Sequence, residues 1–224
     1  MKDSIINITE TYHENGVLIT AFQRTVKRIF DLLVVLLLLP PTFVVMAIII
    51  ILIRIDSPGP IFFFQKRLGE NRKPFKIYKF RTMVENAESL RHLVETHDEE
   101  GNFIHKTPDD PRITRIGRLL RKTHLDELPQ LLNILKGDMS LVGPRPEVFD
   151  LLKYYEEWQY QRFSVPQGLT GWWQINGNDE TPIYMCVEDD LYYIEHYSLW
   201  FDLTILVQTI YLVCKRFVKN IFKL

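Results

Sequence analysis

Two neighbouring carboxylates, Asp126 and Glu127, stand at the mouth of the apolar run Leu128, Leu131, Leu132, Ile134 and Leu135. Arginines at 112, 115, 118 and 121 precede them, and the loop Leu141-Val142-Gly143-Pro144-Arg145-Pro146-Glu147 follows. Positive charge, paired carboxylates and a helix N-terminus in one stretch point to the handling of phosphate and a metal ion. Neighbours on a helix diverge by about 100°, which suits a division of labour: one acid attacks phosphorus while the other holds Mg²⁺, an ion that takes oxygen ligands. The bland alternative is a first-turn acidic pair that merely complements the helix dipole. Two prolines restrict the backbone around Arg145 and aim one guanidinium, an arrangement suited to gripping a phosphate, or else a tight loop whose arginine meets water. A spacing of three carries the four arginines slowly round a helix, so they cannot all face one ligand. Arg121, nearest the carboxylates, is the candidate for chemistry; Arg112, Arg115 and Arg118 are expected to face lipid headgroups or water. Thr123 with Asp126 has the form of a capping pair, whereas Pro129 favours a helix start a few residues later.

The elements that must position these groups begin with an apolar segment. Leu32 to Ile53 contains no charged residue, and 22 residues at about 1.5 Å each suffice for a hydrocarbon core of roughly 30 Å. It starts too late and runs too long for a secretory signal, and no small-residue cleavage site follows it. Pro40 and Pro41 near its middle disfavour a straight helix. Basic residues flank both ends: Arg24, Lys27 and Arg28 before it, and Arg54, Lys66, Arg67, Arg72 and Lys73 after it. A kinked single span is one outcome. A broken helix that dips into one leaflet and returns places both basic flanks on the cytoplasmic side.

Asp56-Ser57-Pro58-Gly59-Pro60 ends that segment as a turn, and Ile61 to Gln65 is a short aromatic strand or interface segment. Alternation from Phe75 to Arg81 predicts a strand on which Lys79 and Arg81 share a face opposite the aromatic one, available to an anion. Val84 to His97 favours helix, and His97 to Gly101 an exposed acidic loop. His92, His97 and His105 lack metal-ligand spacing. Asp150 to Phe163 predicts an amphipathic helix, and Trp172-Trp173 suits an interface, a uridine stacking surface or ordinary core. Asp189 and Asp190 are a second acidic group or a solvated helix start. Leu203 to Leu224, with Lys215, Arg216, Lys219 and Lys223, predicts a basic amphipathic tail on a membrane surface.

A formal net charge of −1 supplies no field for nucleic acid. Cys186 and Cys214 have no CxxC spacing and are expected to be reduced thiols.

KFRTM at 79–83, DPRITRIG at 110–117, RKTHLDELPQLLNILKGDMSLVGPRPE at 121–147 and GLTGWWQINGN at 168–178 resemble the bacterial sugar transferase family, the monotopic polyprenyl-phosphate phosphoglycosyl transferases. The resemblance runs from about Lys27 to Thr209 and is to the small form, without extra N-terminal membrane helices. It implies a covalent, two-step reaction. Asp126 attacks the β-phosphate of a UDP-sugar and releases UMP; undecaprenyl phosphate then takes the phosphosugar from the enzyme. Glu127 is implied as the partner carboxylate at a Mg²⁺ site, and Lys79, Arg121, Arg145 and Asp190 match polar positions around that centre. The family's re-entrant helix breaks at a Ser-Pro pair, where this chain has Pro40-Pro41.

The expected fold is mixed α/β and mainly helical. It comprises an N-terminal lead-in over 1–25, a re-entrant membrane helix over 26–54 and a catalytic domain over 55–224 with interfacial amphipathic helices. The expected location is the bacterial inner membrane, monotopic, with the catalytic domain on the cytoplasmic face. Its partners are a UDP-sugar, undecaprenyl phosphate and membrane lipid, with downstream glycosyltransferases as candidates and no nucleic acid. Two other classes stand beside this one: a membrane-tethered glycosyltransferase releasing UDP, and a non-enzymatic membrane adaptor.

Overall fold

A computed structural model describes residues 19–90, 96–97, 103–104, 110–176 and 186–222. The lead-in before residue 19 and the acidic loop at 98–101 lie outside the described residues, as do His92 and His105. Helix α1, Ala21–Asp56, opens on a capping box in which Thr20 and Gln23 satisfy each other's backbone donors. It is the one helix among the described residues long and apolar enough to cross a membrane.

The expected break into two helices is not seen: α1 runs through Pro40 and Pro41 without interruption. The prolines remove the donors that would reach Leu36 and Leu37 carbonyls, one turn back. The Thr42 hydroxyl donates to the Leu38 carbonyl at 2.7 Å, the kind of back-bond that bends a helix and that a serine before the proline could also make. The middle of α1 is bare: Leu36, Leu37, Leu38, Phe43, Val44, Val45 and Ile48 are all exposed. Its two ends are not.

Near the N-terminal end, Lys27 pairs with Asp202 at 2.6 Å, and Asp31 accepts from the Ser140 hydroxyl at 2.7 Å and the Leu141 amide at 3.2 Å. Arg28 donates to the Ile134 and Leu135 carbonyls at 2.5 and 2.9 Å, and Arg24 to the Ser164 carbonyl and to Glu70. Near the C-terminal end, Asp56 accepts from the Ile116 amide at 3.0 Å, and Ile49 and Ile53 pack with Phe80 and Leu120. The basic flank before the apolar run is therefore spent on protein contacts rather than offered to lipid.

Three two-stranded sheets stand among the described residues. Strand β1 (Phe62–Leu68) pairs antiparallel with β2 (Pro74–Phe80), with Phe63 opposite Lys79. Strand β3 (Thr96–His97) pairs antiparallel with β4 (Phe103–Ile104), and β5 (Ser140–Val142) pairs in parallel with β6 (Gly168–Thr170). The remaining helices are α2 (Arg115–Thr123), α3 (Leu131–Lys136), α4 (Trp172–Ile175), α5 (Val187–Glu195) and α6 (Leu199–Phe222). The larger core gathers Val35, Ile77, Leu131, Ile134, Leu141, Val142, Tyr193 and Ile205 between α1, α3, β5 and α6.

Three local expectations are corrected. Residues 85–90 form turns rather than helix, with the Ser89 hydroxyl taking the Asn86 carbonyl at 2.7 Å. Residues 149–164 form two 3₁₀ segments, Phe149–Tyr154 and Glu157–Ser164, not one amphipathic helix. The run is crowded with aromatic residues, which lose side-chain freedom in an α-helix, and buried polar contacts of Tyr155 and Arg162 hold it. The tail is helical but starts earlier, at Leu199. It buries Asp202 and Ile205 while exposing Trp200, Leu203, Val207, Ile210 and Tyr211.

Candidate active site

Helix α2 is set by contacts at both ends. The Thr114 hydroxyl caps it from the Gly117 amide at 2.9 Å, and a Cβ at Gly117 would lie 2.0 Å from the Thr82 carbonyl oxygen, so only glycine lets the helix come this close to the end of β2. His124, at φ 57°, ends the helix in a left-handed conformation. A 3₁₀ turn, Leu125–Gln130, then carries Asp126, Glu127 and Pro129, and α3 follows from Leu131. The late helix start that Pro129 favours is present. The Thr123–Asp126 cap is not, because the Thr123 hydroxyl donates backwards to Leu119 and Leu120 carbonyls at 2.9 and 3.2 Å. At three residues per turn the two acids diverge by about 120° rather than 100°.

Asn133, fully buried in α3, acts as a strand partner for β2. Its side-chain oxygen accepts from the Tyr78 amide at 3.0 Å and its nitrogen donates to the Lys76 carbonyl at 2.7 Å. That clamp brings the next β2 residue, Lys79, onto Glu127: Nζ to Oε1 is 2.6 Å. Arg145 Nη2 lies 3.7 Å from the same oxygen, and its guanidinium stacks 4.7 Å over the Trp173 ring.

Lys79, Glu127 and Arg145 line a small surface cleft together with Arg67, Ile77, Gln130, Pro146, Gly168 and Leu169. Asp126 is not among the lining residues.

The two acids are electrostatically unlike. Burial, and then the Glu127 charge, push the Asp126 carboxyl up to about 6 against the pull of Lys79 and Arg121. Burial acts on Glu127 in the same direction, but Lys79 and Arg145 outweigh it and hold that carboxyl at about 2. Among the described residues no three acidic, histidine or cysteine side chains converge into a metal cage. A pair of carboxylates fits Mg²⁺ nonetheless, since that ion commonly takes one or two carboxylates and draws its other oxygens from substrate phosphate and water.

The Gly-Pro-Arg-Pro loop is fixed through its carbonyls. Pro144 O accepts from the Gly168 amide at 2.8 Å, Arg145 O from Arg162 at 2.7 Å, Pro146 O from Arg67 at 3.1 Å and Glu147 O from the Leu68 amide at 2.9 Å. Arg162, fully buried, also pairs with Asp190 at 2.7 Å and donates to the Tyr155 hydroxyl at 3.1 Å. That hydroxyl donates in turn to Glu147 at 3.0 Å.

The structure thus brings Asp126, Glu127, Lys79 and Arg145 together, with Arg121 beside them, its Nε donating to the Thr82 hydroxyl at 2.9 Å. Two expected phosphate ligands are elsewhere. Arg81 is turned to the exit of α1, donating to Ser57 O and Oγ at 2.8 and 2.9 Å and to the Pro58 carbonyl. Asp190 is 2 % exposed against Arg162; a carboxylate there cannot meet a phosphate, and it acts behind Arg145 instead. Arg115 and Arg118 are exposed, as expected, but Arg112 pairs with Asp110 at 2.8 Å. Sequence reasoning missed Arg67, Gln130, Asn133 and Arg162. Arg67 reads as a flank charge and Arg162 as one of the charges scattered through the Asp150 to Phe163 run, and only their position in the fold separates them from solvated residues.

Residues 22–216 match the profile of the bacterial sugar transferase family. The sugar transferase EpsL of Bacillus subtilis (strain 168) is 44% identical over 185 residues, which cover 83% of this chain and 85% of EpsL. The exopolysaccharide production protein ExoY of Rhizobium meliloti (strain 1021) is 42% identical over 192 residues, 84% of this chain and 85% of ExoY. The undecaprenyl-phosphate galactose phosphotransferase of Salmonella typhimurium (strain LT2) is 39% identical over 198 residues, 86% of this chain but 41% of that protein. With nearly its whole length matched to the family's profile, this chain belongs to the bacterial sugar transferases.

Proposed function

We propose that the chain is a phosphoglycosyl transferase that moves a phosphosugar from a UDP-sugar to undecaprenyl phosphate at a membrane surface. The Salmonella relative is named for a transfer of this kind to undecaprenyl phosphate. The observation that carries the reading is the split between adjacent acids. Glu127 is held as an anion by Lys79 and Arg145, while burial and the Glu127 charge leave Asp126 the more basic carboxylate of the two despite the pull of Lys79 and Arg121.

In the first step an Asp126 oxygen attacks the β-phosphorus. The bond from that phosphorus to the bridging oxygen breaks, its electron pair stays on the oxygen, and UMP leaves. In the second step an oxygen of the lipid phosphate attacks the same phosphorus, and the Asp126 carboxylate is regenerated. Neither step needs a proton. Lys79 and Arg145 neutralise the phosphate oxygens, and the clamped loop keeps Arg145 from reorganising as charge moves. Asp126 and Glu127 are the residues that would hold Mg²⁺, which supplies charge neutralisation at the diphosphate when bound.

The membrane attachment proposed is re-entrant. Both ends of α1 grip one body while the middle, with its two prolines and bare apolar residues, extends away, and the exposed face of α6 adds a second lipid contact. The catalytic body then lies on one side, taken as cytoplasmic, where UDP-sugars are made. Membranes containing the protein, incubated with Mg²⁺, undecaprenyl phosphate and a panel of UDP-sugars, are expected to release UMP with one member. Release of UDP would mean that the sugar moves without its phosphate and would overturn the reading.

A further inference from the structure

The cleft contains two donors that the reaction as stated does not use. Arg67 lines it from β1. Of its five N–H donors, Nε and one terminal nitrogen meet Gln65 Oε1 at 3.1 and 2.8 Å and the other meets Pro146 O at 3.1 Å, leaving two donors unspent. Burial and then the nearby Arg145 charge lower its pKa only to about 10, so it stays a cation at neutral pH. Gln130 lines the same cleft at 2 % exposure, and its side-chain amide nitrogen has no hydrogen-bond partner. A buried, unpaired amide donor costs stability unless something outside the protein accepts from it. Among the residues that line the cleft, Arg67, Lys79 and Arg145 stand against one carboxylate, Glu127, with Asp126 and Glu147 acting from outside the lining.

We propose that Arg67 and Gln130 form a subsite for the phosphate on the far side of the reacting phosphorus, occupied first by the departing UMP phosphate and then by the arriving lipid phosphate. The assignment rests on the double displacement proposed above. In an in-line displacement the leaving oxygen departs opposite the attacking one. Asp126 lies outside the cleft lining that contains Arg67 and Gln130, so the bond broken opposite its attack is directed toward them. The second nucleophile must arrive along the same line to expel Asp126. One site therefore serves both phosphates in turn.

The test uses the full-length protein in membranes or detergent, with Arg67→Gln and Gln130→Leu. UMP is titrated as an inhibitor beside uridine, which lacks the phosphate, and the two half-reactions are timed separately. The UMP inhibition constant is expected to rise roughly 10- to 100-fold for Arg67→Gln and several-fold for Gln130→Leu, with inhibition by uridine little changed. Formation of lipid-linked product from the phosphosugar–enzyme is expected to slow alongside UMP release. Gln130→Leu has no partner of the amide nitrogen to lose, so its melting temperature is expected to hold or rise while UMP binding weakens, a combination that a purely structural role would not produce. Unchanged UMP inhibition in Gln130→Leu overturns the subsite, as does weakening of UMP and uridine alike. Slowing of only one half-reaction overturns its shared use. If the wild type releases no UMP from any UDP-sugar, the double displacement itself fails and the subsite with it.

Discussion

Two charged clusters lie either side of the Arg145 loop, and they are built differently. In the cleft, Lys79 and Arg145 converge on one carboxylate oxygen of Glu127, partly open to water. Behind the loop, Arg162, Asp190, Tyr155 and Glu147 form a closed network: Arg162 and Asp190 are almost fully buried, and each is hydrogen-bonded within the set. The first cluster leaves its cations with capacity for a ligand; the second spends its capacity on the protein. Charge in the cleft is thus expected to set rate, and charge behind the loop to set stability and the placement of Arg145.

The sharpest way to break that contrast is to exchange the readouts. Glu127→Gln is expected to lower turnover on the order of 10³-fold, with little loss of melting temperature, because it removes an anion that orients Lys79 and a candidate metal ligand. A large drop in melting temperature with near-normal turnover would reverse the assignment. Arg162→Leu is expected to cost about 3–5 kcal/mol in denaturant unfolding, since it strands the Asp190 charge in the interior, and Asp190→Asn in the same chain is expected to recover part of the loss. Asn133→Ala is expected to cost about 2 kcal/mol by leaving the Tyr78 amide and Lys76 carbonyl unpaired, and to slow turnover because Lys79 loses its register against Glu127.

The smallest effect has the opposite sign. In metal-free protein burial and the Glu127 charge raise the folded Asp126 carboxyl to about 6, above its ordinary value of 3.8. Its stabilising protonated form is complete below pH 3.8 and is lost as pH rises through 6. Asp126→Asn removes that loss. In chelator, the variant is expected to be more stable than wild type above pH 6 by about 1 kcal/mol, discounted for partial exposure, with the gap closing below pH 4. A gap that widened on acidification would show that Asp126 is not the strained member of the pair.

Much of the cleft was legible in the chain because its parts are close in sequence or sit in short, constrained motifs. Asp126 and Glu127 are adjacent, Arg145 is bracketed by prolines, and alternation marked the strand that carries Lys79. The closed network was not legible. Arg162 meets a residue 28 positions away and a carbonyl 17 away, and nothing local distinguishes it from a solvated arginine. Arg81 was misread for a related reason: strand parity gave its direction but not the Ser57-Pro58 turn that waits there. The helix through Pro40 and Pro41 was expected to break, and runs on. The basic flank that suggested its topology is consumed by Asp202, the Ile134 and Leu135 carbonyls and Glu70. The proposed topology rests instead on the docking of both helix ends on one body.

The central claim is that Asp126 becomes covalently attached to the phosphosugar. Protein in detergent with Mg²⁺ and the productive UDP-sugar, but no lipid acceptor, is stopped after the first step and analysed by intact mass and peptide mapping. One phosphosugar per chain is expected on the peptide containing Asp126, with one UMP released alongside it, and neither in Asp126→Asn. Turnover by Asp126→Asn near the wild-type rate, or an adduct mapped to another residue, would contradict it.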